Sequence, residues 1–182
     1  MTMTPRLRKF VLTAHVTTTV GWLGAVVAFL ALGIAGLTSQ DAQMVRGAYL
    51  AMGPIGWLVI LPLALVSLLI GAVQSLGTPW GLFRHYWVLF KLVLTALSVG
   101  VLLLHMSTIS LLSDAAAQTT LASTDLRGAR VQITVAAGAG LLVLLVINAL
   151  SVYKPRGMTR YGQRKQHEQR RKQREQLPAP VP

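Results

Sequence analysis

The chain has no cysteine and only five acidic residues among 182. Without thiols there is no disulfide, iron–sulfur cluster or thiolate metal site, which leaves histidine, methionine and oxygen as the metal donors on offer. The acids are Asp41, Asp114, Asp125, Glu168 and Glu175, and none falls in an apolar stretch. Paired-carboxylate chemistry and a carboxylate proton relay within a membrane therefore have no residues to use. No hydrolase, kinase or dehydrogenase motif is visible, and there is no internal repeat or soluble domain. Charged residues make up 12% of the chain against 53% hydrophobic, a balance that excludes both a soluble globule and a wholly disordered chain.

What the sequence does have is four apolar runs, at about residues 10–37, 48–76, 86–112 and 131–153. Each reaches the roughly 20 residues needed to cross a bilayer as a helix. A lone strand would leave backbone groups unpaired in lipid, and the runs lack the alternation of outer-membrane barrel strands. The expected fold is all-α, a polytopic four-transmembrane-helix bundle. Pro54 and Pro62 in the second run remove backbone donors and predict a kink there. Gly21, Gly24, Gly138 and Gly140 are small enough to let helices approach, in the bundle or in a homo-oligomer. Segments 38–47 and 113–130 read as connectors, the second with the option of a short amphipathic helix.

Charge orients the runs. Arg6, Arg8 and Lys9 precede the first, Arg84 lies between the second and third, and a basic tail from Lys154 to Arg174 follows the fourth; the other side has only Arg46, Arg127 and Arg130. The positive-inside rule puts both termini in the cytoplasm. The net charge of +12 is thus mostly a topology signal plus a tail. A secretory signal peptide is the alternative for the first run, which is about twice the usual 7 to 15 residues of a signal core. Tail residues 154–182 are expected to be disordered and to touch anionic inner-leaflet lipid, at about 1 kcal/mol per basic residue near the surface. Nucleic acid is not an expected partner, because aromatic interleaving and a folded binding module are missing.

Against this background Lys91 stands out, because a charge within a span costs about 2.5 to 3.5 kcal/mol on insertion scales. At about 1.5 Å per residue, His15, Lys91 and Asn148 all lie roughly 7 Å inside the cytoplasmic boundary, with Gln74 slightly nearer the surface. Helical spacing puts Trp87, Lys91, Thr95, Ser98 and His105 on one face, and His15, Thr18, Thr19 and Trp22 on another. Two readings remain open. In one, these groups are interhelical glue and Lys91 snorkels to the interface. In the other they form a site for an anionic ligand or cofactor, with Lys91 supplying charge and His15 acting as axial metal ligand or proton carrier. His105 lies roughly 21 Å further along the axis than His15, so the two cannot share one haem. His105 is instead a separate candidate metal ligand, for copper with Met106 and with Met44 or Met52, although scattered methionines more often pack.

Two motifs carry a family resemblance. His15-x6-Trp22-Leu23-Gly24 resembles the opening helix of CopD-type copper-resistance proteins and of HemJ-type protoporphyrinogen IX oxidases. Trp87-x3-Lys91-Leu92, after Gly71 and Gly77, is similar to the HemJ-type tryptophan–lysine helix. The segment from Pro79 to Lys91 looks most like a bacterial family of integral membrane proteins with no assigned activity. The resemblance covers the first three spans and implies that His15 and Lys91 correspond to the histidine and lysine that HemJ-type enzymes use in haem or porphyrin handling. Taken with the depth and spacing of the polar groups, the candidate cofactor set is His15, Trp22, Trp87, Lys91 and Asn148, holding haem b or a porphyrin; copper is the lesser candidate. The Leu-Pro-Arg segment of those enzymes is missing, since residues 25–36 contain no arginine. The expected function is therefore a non-enzymatic bundle that binds an anionic ligand. A HemJ-like oxidase, a CopD-like copper protein and a scaffold acting through its tail are the alternatives.

Overall fold

The computed structural model describes residues 4–77, 86–118 and 126–153, together with Gly157, Thr159, residues 163–165, His167, Glu168 and Arg171. Five α-helices and one π-helical turn follow in order: α1 (Pro5–Thr38), α2 (Ala42–Pro54), the turn Ile55–Ile60, α3 (Leu61–Gly77), α4 (Tyr86–Ala117) and α5 (Leu126–Tyr153). No strand occurs among the described residues. Because α2, the turn and α3 run on as one rod, four rods are long and apolar enough to cross a membrane. The all-α, four-span bundle expected from the apolar runs is the observed fold.

The first two helices begin before their apolar stretches because capping side chains, not hydropathy, set where they start. Thr4 caps α1, its hydroxyl accepting from Leu7 N–H at 3.4 Å, and Pro5 occupies the first turn, where no backbone donor is needed. Asp41 caps α2 by accepting from Gln43 N–H at 2.9 Å. The connector expected at 38–47 is consequently mostly helix, with only residues 39–41 between α1 and α2. The expected amphipathic helix at 113–130 falls partly outside the described residues, as do the segment from Pro79 to His85 and most of the tail. Within the tail, residues 163–165 are helical and Lys165 pairs with Glu168 at 3.3 Å.

In place of a simple proline kink the chain forms a π turn between Pro54 and Pro62. In an α-helix the carbonyl of Leu58 would look to the nitrogen of Pro62, which has no hydrogen. The wider pattern, seen in the Leu61 N–H bond to Gly56 O, passes each carbonyl to a donor one residue further on. Such a repair matters in lipid, where water cannot stand in.

α1 neighbours α2, α3 and α5, and α4 neighbours the same three, while α1 and α4 face each other diagonally across the bundle. Buried Trp22, Phe29, Tyr49, Met52, Ile109, Leu112, Ile133 and Leu144 fill the core. The start of α1 and the end of α5 meet at one end, here called the terminal end.

Packing is closest toward the opposite, far end. A Cβ on Gly36 would stand 2.7 Å from the Tyr49 ring, one on Gly33 2.8 Å from Thr134 Oγ1, and one on Gly53 2.5 Å from Ser113 Oγ. Arg130 of α5 donates to Tyr49 Oη at 3.1 Å and to the Gly36 carbonyl, with its guanidinium 5.1 Å from the centre of the Tyr49 ring. Arg46 of α2 donates to Ala116 O at 2.9 Å and to Ala117 O at 3.3 Å. Both arginines thus serve the unpaired carbonyls at a helix C-terminus, where a cation is also favoured by the helix dipole.

The glycines expected to mediate close approach are not the ones that do. Nothing lies within 4 Å of a Cβ placed on Gly24 or Gly140, and Gly21 and Gly138 meet only the tips of Leu63 and Leu30, at 3.4 and 3.9 Å. Small size permits an approach, but the core face decides where it happens. Gly36→Ala, which drives a methyl into a fully buried ring, is expected to cost about 1–3 kcal/mol. Gly140→Ala should be near neutral, and thermal unfolding of both variants in mild detergent checks the contrast.

Candidate functional site

Toward the terminal end the four rods part around a cavity of about 590 Å³. His15, Trp22, Gln74, Trp87, Lys91 and Asn148 all line it. The cavity also receives Arg8, Thr19, Ser67, Gly71, Thr95 and Ser151, so every span contributes polar atoms. Helical periodicity explains the convergence on α1: Arg8, His15, Thr19 and Trp22 follow one another at spacings of seven, four and three. On α5, Asn148 and Ser151 are three apart, and on α3, Ser67, Gly71 and Gln74 are four and three apart.

Lys91 is held by α5. Its Nζ donates to Ser151 Oγ at 2.8 Å, and Ser151 in turn donates to Ile147 O at 2.7 Å. Among the described residues no carboxylate pairs with Lys91; Lys165 and Glu168 form an ion pair at the surface. The ammonium has three donors, and the named acceptor uses one of them.

His15 differs from every other described side chain. Its Nδ1 is buried and has no hydrogen-bond partner. The ring lies against α3 where Gly71 leaves room for it, since a Cβ there would sit 3.2 Å from His15 Cε1. Around it, hydroxyls are spent locally. Thr19 donates to His15 O at 2.7 Å and meets Ser67 Oγ at 3.2 Å, Thr95 donates to Lys91 O at 2.8 Å, and the Asn148 amide donates to Leu144 O at 2.9 Å.

Other parts of the two expected stripes lie elsewhere. Thr18 bonds back to Ala14 O and His15 O, and Ser98 to Leu94 O, and neither lines the cavity. His105 sits in a separate shallow groove with Arg127, Gly128, Val131 and Gln132, its Nδ1 2.8 Å from Val101 O. Met106 is buried in the core beside Gly56, Met52 is buried and Met44 is exposed. No group of three or more His, Asp or Glu that could hold a metal occurs among the described residues.

Ser151 and Ser67 were not singled out from the sequence, and Arg8 and Gly71 were named only as a basic flank and as part of a family motif, not as site residues. Their signal was present: Ser151 lies three beyond Asn148, Ser67 seven before Gln74 and Arg8 seven before His15. A search restricted to strongly polar residues within spans passes over serines, glycines and a flanking arginine. The chain matches no family model, no curated protein and no solved structure.

The two readings of Lys91 differ in stability. Insertion of the charge costs about 2.5–3.5 kcal/mol, and its bond to Ser151 returns about 1.5–3 kcal/mol. Lys91→Met is therefore expected to leave ligand-free stability within about 1 kcal/mol of the parent, because an unpaired charge is replaced by an apolar side chain of similar length. Ser151→Ala, which keeps the charge and removes its acceptor, should cost about 1–3 kcal/mol. Denaturant unfolding in detergent decides; a large loss in Lys91→Met would show that Lys91 is interhelical glue.

Proposed function

We propose that this chain is a multi-pass protein of a bacterial cytoplasmic membrane, with both termini in the cytoplasm, that binds an anionic ligand in the cavity at its terminal end without catalysing a reaction. The observation that carries this reading is the pairing of Lys91, charged and without a described carboxylate partner, with His15, whose buried Nδ1 is unsatisfied, in one cavity. A buried polar atom without a partner is costly, and native structures keep few of them. A ligand bearing an acidic group and a polar or metal centre would complete both residues. The volume of about 590 Å³ falls within the ordinary range for small-molecule sites, about 300–1,000 Å³.

Haem b or a porphyrin is the cofactor class that the resemblance to HemJ-type and CopD-type proteins implies, and the residues fit such a group. Lys91 would hold a propionate, His15 would offer a ring nitrogen to the metal, and Trp22 and Trp87 would supply flat apolar walls. When bound, haem would bring a redox-active iron. The chain's part is to hold the acid, orient the ring and keep water out. No comparable arrangement surrounds His105, so the copper reading has less support.

Topology follows from the basic flanks. Arg46 and Arg130, two of the three cations on the far side, are engaged by helix carbonyls, and the larger number of lysines and arginines lies with the termini. A C-terminal reporter that is active only in the cytoplasm is expected to be active. The ligand reading is tested by an absorption spectrum of the full chain purified in mild detergent. The expected result is a Soret band that is lost in His15→Ala and weakened in Lys91→Met; a colourless, correctly folded protein would remove haem.

A further inference from the structure

The cavity wall is unequal. On α3, α4 and α5 the side chains facing it are buried or half-buried, but on α1 Leu12, Val16 and Val20 line it while remaining 49%, 51% and 60% exposed. These three lie at successive four-residue steps, so they form one edge that runs along the helix from the cavity toward mid-membrane. Arg8, one step further toward the terminal end, continues the same edge and also lines the cavity. An apolar side chain that borders a cavity and is open on its other side marks a gap in the wall, and in a membrane that gap faces lipid.

Charge is confined to one end of the cavity. Arg8 and Lys91, with Ser151, lie toward the interface, and deeper in are Leu144, Trp22 and the hydroxyls of Thr19, Ser67 and Thr95, which are hydrogen-bonded within the bundle. A cationic mouth above an uncharged floor whose hydroxyls are already hydrogen-bonded, with a lateral slot edged by apolar side chains, matches a molecule that has an acidic head and a hydrocarbon body. A free soluble anion would leave the apolar part unused, and a zwitterionic headgroup would bring a cation against Lys91 and Arg8.

From these observations we infer that the cavity takes up a membrane-dissolved amphiphile with a single acidic headgroup, sideways from the leaflet on the terminal side, through the slot edged by Leu12, Val16 and Val20. Lys91 and Arg8 receive the head, and the hydrocarbon body lies along the slot and reaches down toward Trp22. The inference rests on the anion-binding reading and adds to it the class of ligand and its route.

The test uses the full chain in detergent micelles, in a Trp57→Phe/Trp80→Phe background that leaves Trp22 and Trp87 as reporters. Dibrominated stearate is the probe, dibrominated phosphatidylcholine the zwitterionic control and butyrate the chainless competitor. Stearate is expected to quench fluorescence saturably and phosphatidylcholine only weakly, while butyrate should not displace the probe. Loss of a charge-assisted contact worth about 1.5–3 kcal/mol should raise the half-saturating concentration about ten- to hundredfold in Lys91→Met. Lys91→Arg, which keeps the charge, should recover most of the binding. Val16→Phe/Val20→Phe, which narrows the slot without touching the cations, should slow quenching about tenfold or more.

Equal quenching by both brominated probes, or no effect of Lys91→Met, would overturn the amphiphile. Displacement by butyrate would reduce the ligand to its headgroup and would also overturn it. Lys91-dependent quenching with an unchanged rate in the slot variant would overturn the lateral route and leave anion binding standing. A Soret band lost in His15→Ala alongside unsaturable quenching would sink this inference alone, whereas absence of both signals would sink the reading beneath it as well.

Discussion

Every backbone polar group within a bilayer has to find its partner inside the protein, because lipid supplies none. That requirement shapes this bundle at each place where an ideal helix would fail. The prolines of the second rod open a gap in the hydrogen-bond ladder, and the π turn between them closes it. The last carbonyls of α1 and α4 have no intrahelical donors, and Arg130 and Arg46 reach across from other helices to supply them. Threonine and serine hydroxyls within the spans donate to carbonyls four residues back. Against this thorough pairing, a buried histidine nitrogen with no partner is an exception of the kind that concentrates at functional sites.

The bundle also divides its length between two kinds of packing. Toward the far end, glycine–side-chain contacts bring the rods into close approach. Toward the terminal end, larger side chains and polar groups hold the rods apart. Lys91 illustrates the difference, since its hydrogen bond to Ser151 spans adjacent helices and still leaves donors facing the cavity. The electrostatic cost of that residue is roughly balanced by its one strong contact, so stability gives little reason for a lysine at this position.

Much of this was legible in the amino-acid order. Apolar run length alone defines four spans, because the bilayer permits few alternatives; the rise per residue puts His15, Lys91 and Asn148 at a common depth, and helical periodicity puts Trp22 on the same face as His15. Helix ends were less legible, since Thr4 and Asp41 extend α1 and α2 through hydrogen bonds that hydropathy does not register. The glycine contacts were misjudged for a related reason. Gly24 and Gly36 are equivalent as residue types, but only Gly36 lies where Tyr49 presses against the backbone. The acceptor for Lys91 was missed because a serine in an apolar helix looks unremarkable until the partner helix is in place.

Arg46 binds the end of α4 and Arg130 the end of α1, so each arginine ties its own rod to a neighbour and together they form a collar at the far rim. A bundle gripped at one rim and parted at the other has the mechanics of tweezers. The collar is the pivot, and the roughly 30 Å of helix between Arg130 and Ser151 is the arm. Tilting one rod by about 4° at the pivot would move its free end by about 2 Å with little change at the collar, given a lever of that length. Opening and closing around a guest of variable girth would therefore require only small rotations, leaving the closely packed far end undisturbed.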